Sequence, residues 1–228
     1  MNPLIIIPAR GGSKGIPGKN IKELCGKPLI QYTVDAAREI FKDYEICVST
    51  DSSEIKSVVE KLGLKVPFLR PIELATDTAS TYDVLLHALN FYENKGYCSD
   101  VVILLQATSP FRTSKHIREA LKLYNNTIDM LVSVSETKSN PYYVLFEEDE
   151  DGWLTKSKNG NFTRRQDCPK VWEYNGAIYV INTESLKEKS LLEFRKIKKY
   201  VMDEQSSLDV DTPMDWLFAE TMMEHFGA

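Results

Sequence analysis

The sequence predicts an α/β protein: a mostly parallel sheet flanked by helices, with a small β-rich insertion, organised as a single domain over residues 1–228. Three observations carry that prediction. Short apolar, β-branched runs alternate with stretches of helical spacing as far as Val134. A glycine-rich, basic loop directly follows the first apolar run, where phosphate-binding loops of α/β sheets sit. Near Ser139 the alternation gives way to aromatic residues and turn signals.

The elements follow in order. Residues 4–7 form a buried strand, and residues 28–41 a helix with Leu29, Ile30, Val34, Ala37 and Phe41 on one face. Residues 46–49 are a second strand, and residues 52–62 a helix stopped by Gly63. Residues 65–69 read as a strand, and residues 80–92 as a helix carrying Val84, Leu85, Ala88, Leu89 and Tyr92 inward. "DVVILL" at 100–105 is the strongest central strand, followed by a helix at 114–124 and a strand at 130–134. Residues 139–174 read as strands and hairpins leaving the main sheet, with turn signals at Asp151-Gly152 and Asn159-Gly160. The chain returns through a strand at 176–181, a short strand at 200–202 and a final helix at 213–226.

Composition narrows the function classes. With 228 residues, 43% hydrophobic and 27% charged, the chain suits one globular unit. A net charge of -5 argues against bulk attraction to nucleic acid. The four cysteines, Cys25, Cys47, Cys98 and Cys168, form no C-x-x-C pair and read as reduced, partly buried thiols. No run approaches about 18 apolar residues and no signal-like segment opens the chain, so the expectation is a cytoplasmic protein with no membrane span.

The opening loop, "IIIPARGGSKGIPGKN", holds four glycines with Arg10, Lys14 and Lys19. It matches neither G-x-x-x-x-G-K-[ST] nor G-x-G-x-x-G. The physics of anion binding still applies, because glycines let backbone N–H groups face an anion and three cations neutralise phosphate charge. A flexible surface loop with solvated lysines is the other reading. Late in the chain, Asp209 and Asp211 stand two apart in "LDVDT", a spacing that turns both carboxylates to one side of an extended chain. Such a pair suits Mg²⁺, which takes one or two carboxylates and fills its other positions with water and phosphate oxygens. Thr212, Pro213 and Asp215 are explained by helix capping, which leaves Asp209 and Asp211 unaccounted for. Loop and aspartates together describe a site for a nucleoside triphosphate and its Mg²⁺.

Five blocks, "PARGGSKGIPGKN", "RPIELATDTAS", "LLQATSPFR", "NGAIYV" and "LDVDT", resemble in order and spacing the acylneuraminate cytidylyltransferases. The resemblance covers nearly the whole chain. It implies a nucleotidyltransferase-type (Rossmann-like) fold, a homodimer closed through the insertion, and transfer of CMP from CTP to a nine-carbon 2-keto sugar acid with release of pyrophosphate. Carried over by position, Arg10, Lys14 and Lys19 hold the triphosphate and Asn20 lies beside base or ribose; Lys19, Asp209 and Asp211 carry the chemistry. Arg70, Ala79 and Thr81 fall in a second nucleotide block, where helix capping is the competing account of Ser80 and Thr81. Gln106, Arg165, Asn175 and Tyr179 are the substrate-side positions; strand-end polarity competes for Gln106, a solvated surface pair for Arg165, and strand packing for Tyr179.

The resemblance departs on the sugar side. Where sialic acid enzymes carry His-Pro followed by a basic residue, this chain has Asn140-Pro141-Tyr142-Tyr143; where they present an aromatic pair, it has Leu191, Leu192, Glu193 and Phe194. That version is similar to the branch activating legionaminic acid, with Tyr142, Tyr143 and Trp172 as apolar surface for the extra groups or, alternatively, as hairpin or dimer packing. The alternatives are a cytidylyltransferase for the eight-carbon acid KDO, a sugar-1-phosphate nucleotidyltransferase, and a nucleotide-binding protein without chemistry.

Overall fold

The computed structural model describes residues 1–226. The chain opens with β1 (Pro3–Pro8), then a hairpin of β2 (Glu23–Leu24) and β3 (Lys27–Pro28) that runs into α1 (Leu29–Arg38). Then come β4 (Ile46–Ser49), α2 (Ser53–Lys61), α3 (Thr81–Glu93), β5 (Val101–Leu105), α4 (Ser114–Leu123) and β6 (Met130–Glu136). The second half holds the hairpin β7 (Phe146–Glu148) and β8 (Leu154–Lys156), the long β9 (Trp172–Asn182), α5 (Thr183–Glu188), β10 (Ile197–Val201) and α6 (Pro213–Phe226).

Six strands form one sheet in the order β10-β6-β9-β5-β1-β4. β1 pairs in parallel with β4 and β5, and β6 with β10, whereas β9 runs antiparallel between β5 and β6. Period-2 alternation sends successive side chains to opposite faces. Ile5, Ile7 and Ile103 meet Ile30 and Val34 of α1 and Ile117 of α4; Leu4, Ile6 and Leu104 meet Leu85 and Leu89 of α3. A third cluster joins Ile16 of the glycine loop to Leu29, Phe111, Val210, Trp216 and Met222. It anchors the loop and the Asp209–Asp211 segment to the same base.

Three expectations need correction. Residues 65–69 are extended but form no strand: β4 is the sheet edge, Pro67 has no N–H to donate, and the neighbouring backbone bond, Arg70 N–H to Thr50 O at 2.7 Å, does not continue as a ladder. The insertion contains one hairpin, turned at Asp151-Gly152 with Gly152 at φ 83°; the Asn159-Gly160 signal makes none. Gly160 instead lies under the Phe162 ring, where a Cβ would come within 2.5 Å of a ring carbon. Trp172, Glu173 and Tyr174 already pair with β6, so three residues expected in the insertion belong to the main sheet. All four cysteines are free; Cys47 is buried, but Cys25 and Cys98 are exposed. No helix among the described residues is long and apolar enough to cross a membrane.

Candidate active site

A cleft of about 930 Å³ runs along the carboxyl edge of the sheet. Its walls come from the segments after β1, β5, β6 and β10, where α/β sheets bind ligands, and from residues 70–84, which lead into α3. Because β9 runs the opposite way, its first residues, Glu173 to Gly176, reach that edge. They are bent by a bulge: Val132 pairs with Tyr179 but Val134 with Tyr174, so β9 carries extra residues there. Asn175 holds the bulge. Its Oδ1 accepts from Ser133 Oγ at 2.6 Å and its Nδ2 donates to Ser207 Oγ at 2.9 Å.

The glycine loop forms the opposite wall. Asn20 Nδ2 donates to Arg10 O at 3.0 Å and staples the loop's two ends. Gly18, at φ 64°, turns the chain into a short helical segment carrying Lys19 and Asn20, both buried. Gly15 lies against Asp211, whose carbonyl oxygen would be 2.3 Å from any Cβ there, so a side chain cannot fit. Gly11 N–H donates to Asp51 Oδ1 at 3.0 Å, and the same oxygen lies 3.7 Å from the buried Arg70 guanidinium. Asp51 therefore ties the loop to the second nucleotide block. Burial lowers the Arg70 pKa, with Asp51 opposing that shift.

Asp209 and Asp211 stand between the two walls. Val210 is fully buried in the third cluster and donates its N–H to Thr108 O at 2.9 Å, so its neighbours turn into the cleft. Asp211 accepts from Lys19 Nζ at 2.6 Å. Asp209 faces the bulge: a Cβ on Gly176 would lie 3.5 Å from its Oδ2. Its Oδ1 is buried with no hydrogen-bond partner among the described residues. Burial, and then the charge of Asp211, push the Asp209 pKa up, against Thr108 and Lys19, which pull it down. An orphaned carboxylate oxygen beside a second carboxylate fits a hard cation, which would give Asp209 Oδ1 the partner it lacks.

Of the positions singled out from sequence, Arg10, Lys19, Asn20, Arg70, Ala79, Thr81, Gln106, Asn175, Tyr179, Asp209 and Asp211 all line this one cleft. Lys14 and Arg165 do not. Lys14 sits at the rim, its Nζ 2.6 Å from Asp77, which Arg10 also reaches at 2.7 Å. Arg165 is exposed on a single helical turn of the insertion. The capping account divides Ser80 from Thr81: Ser80 Oγ accepts from Asp83 N–H at 3.1 Å, which leaves Thr81 unexplained by capping. Gln106 is held by its backbone, whose carbonyl accepts from Arg112 Nη1 at 2.9 Å and Thr33 Oγ1 at 3.2 Å. Arg112 is fully buried with no carboxylate partner among the described residues, and burial pushes its pKa down to about 9.

Sequence reasoning missed Asp51, Asp77, Lys138, Glu204, Tyr174 and Phe218. Asp51 and Asp77 lay in plain view in "STDSS" and "RPIELATDTAS", but their partners are far away in sequence. The aromatic trio proposed for the sugar, Tyr142, Tyr143 and Trp172, does not line the cleft. Tyr142 packs edge-on against Phe162 at 5.7 Å, and Lys199 sits over the Trp172 ring at 4.7 Å. Tyr174, Tyr179, Leu208 and Phe218 supply the apolar surface instead.

The family model described as "Cytidylyltransferase" matches residues 4–222. The chain is 41% identical over 221 residues to an N-acylneuraminate cytidylyltransferase of Streptococcus agalactiae, covering 95% of this chain and 52% of that protein. The chain thus spans about half the length of that relative. It is 35% identical over 225 residues to a CMP-N,N'-diacetyllegionaminic acid synthase of Legionella pneumophila, covering 98% of this chain and 97% of the relative. In fold it is similar to a CMP:2-keto-3-deoxy-manno-octonic acid synthetase solved with CTP, with a TM-score of 0.72 at 19% identity over 98% of this chain and 99% of that one. Sequence blocks, cleft and relatives converge: the chain belongs to the cytidylyltransferase family.

Proposed function

We propose that this protein joins CTP to a nine-carbon 2-keto sugar acid of the N-acetylneuraminic or legionaminic type, giving the CMP-sugar and pyrophosphate. The observation that carries the reading is the aspartate pair: Asp211 touches the phosphate loop through Lys19, while Asp209 faces the β9 bulge. Two substrates bound along the cleft would meet between them. The anomeric hydroxyl oxygen of the acid bonds to the α-phosphorus, the bond to the bridging oxygen breaks, and pyrophosphate leaves with that electron pair. Asp209 and Asp211 would hold Mg²⁺, which when bound supplies charge neutralisation at phosphate oxygens and eases loss of the hydroxyl proton. Arg10 and Lys19 stabilise the charge that builds on pyrophosphate, the leaving group, and Lys14 adds positive charge at the rim. Arg70, Ala79 and Thr81 border the nucleoside, and Gln106 and Tyr179 the acid.

The second reading, a KDO enzyme, has a likeness of fold alone behind it, whereas the two relatives described above, at 41% and 35% identity, carry nonulosonate names. The Asn140-Pro141-Tyr142-Tyr143 block resembles the legionaminic branch, but both tyrosines lie outside this chain's cleft, and the relatives carry N-acylneuraminate and legionaminic names alike. The insertion bares Tyr143, Val144, Leu145, Phe146, Trp153 and Leu154, an apolar surface suited to an isologous homodimer. The protein works in the cytoplasm, where CTP is available.

The test is pyrophosphate release from CTP and Mg²⁺ with N,N'-diacetyllegionaminate, N-acetylneuraminate and KDO in parallel, with the mass in solution measured at the same concentration. Release with a nine-carbon acid and a two-subunit mass are expected. Release with KDO alone, or none with any acid, would overturn the assignment.

A further inference from the structure

Four cations line the cleft among the described residues: Arg10, Lys19, Arg70 and Lys138. The first three sit where β1 and β4 end. Lys138 stands alone at the other end, beyond β6, three strand spacings from β1, or about 14 Å. Its neighbours in the cleft wall are acidic: Glu136, Glu173 and Glu204. Lys170 neutralises Glu136 at 2.7 Å, and Lys138 itself is paired with Glu204. The second substrate of the proposed reaction is a carboxylate at neutral pH, so this end must present positive charge to it. Among the described residues of this chain, Lys138 is the cation that lines this end of the cleft. Its side chain is 68% exposed, on a flexible stem that can exchange one carboxylate for another at little cost.

We propose that Lys138 receives the carboxylate of the sugar acid, and that Glu204 is a resident stand-in which the acid displaces. This rests on the reading that the second substrate is a sugar acid. Glu204 thereby competes with substrate for the same ammonium group, and the two partners make opposite predictions. A purely structural salt bridge would make both substitutions act alike.

The experiment measures KM for N,N'-diacetyllegionaminate and N-acetylneuraminate at saturating CTP, and KM for CTP at saturating acid, in wild type, K138A, K138R and E204Q. The wild type is run first. K138A is expected to raise the acid KM about tenfold, the loss of one charge-assisted hydrogen bond, with the CTP KM within about twofold. K138R is expected to restore most of the loss, and E204Q to lower the acid KM. Thermal unfolding checks that each variant folds. An unchanged acid KM in K138A, or a rise in E204Q equal to that of K138A, overturns the inference and leaves the wider functional reading standing. No pyrophosphate release by wild type with any acid would remove both.

Discussion

The two ends of the cleft are built differently. Where β1 and β4 end, Lys19, Asn20 and Arg70 are buried, and Asp51 clasps loop and guanidinium together before any ligand arrives. Beyond β6 and β10, Lys138, Glu173, Tyr174 and Glu204 are exposed, and the neighbouring insertion shows bare apolar residues. The difference teaches how the chain divides its work. A constant, highly charged partner rewards rigid preorganisation, since the cost of ordering is met during folding. A variable partner is met by exposed side chains that change at little cost to the core.

The sharpest way to break this comparison is at the junction of the two ends. D211N and K19A are each expected to cut turnover on the order of 10²- to 10³-fold in the pyrophosphate assay, with the circular dichroism spectrum retained. Next comes G15A. Its methyl group would collide with the Asp211 carbonyl, moving the aspartate, and turnover should fall about 10²-fold. D51N separates the ends more cleanly. It keeps the shape but removes the charge beside Arg70, so the CTP KM should rise about tenfold and Tm fall while the acid KM stays put. A matching rise in the acid KM would show that the ends are one mechanical unit.

The smallest effect concerns Asp209. Its pKa is raised in the folded protein, so the fold binds that proton more tightly than the unfolded chain does. Stability from this group is therefore present at low pH and is lost as pH rises from the ordinary carboxylate pKa through the folded one. D209N without divalent metal should show a slightly higher Tm than wild type at pH 7, with the gap closing as pH falls into the carboxylate range. A lower Tm for D209N at pH 7 would mean that the carboxylate has a stabilising partner.

Much of this was legible in the sequence, for physical reasons that differ by element. β1, β4 and β5 are buried on both faces and read as continuous apolar runs; the residue types alone mark them. Ser80 and Thr212 announced their helices because capping is a local interaction spanning three residues. The aspartate pair was legible because extended spacing is local too. What stayed hidden was long-range. The partnership of Asp51 with Gly11 spans 40 residues, and that of Arg10 with Asp77 spans 67. Residues 65–69 carried strand composition, but whether a strand joins a ladder depends on a neighbour the local pattern does not name. Tyr142 and Trp172 looked available for a ligand because aromatic character says nothing about which ring already has a packing partner.

The reversed direction of β9 gathers one flank of the cleft into a single segment of chain. It brings the beginning of that strand to the cleft, so residues 137–139 and 173–176 face the pocket from the two flanks of one uninterrupted stretch of chain. The opposite wall, by contrast, is stitched from pieces near positions 10, 51, 70 and 211. On the proposed reading, transplanting that one segment between relatives would exchange the acid-facing contacts and leave the opposite wall in place.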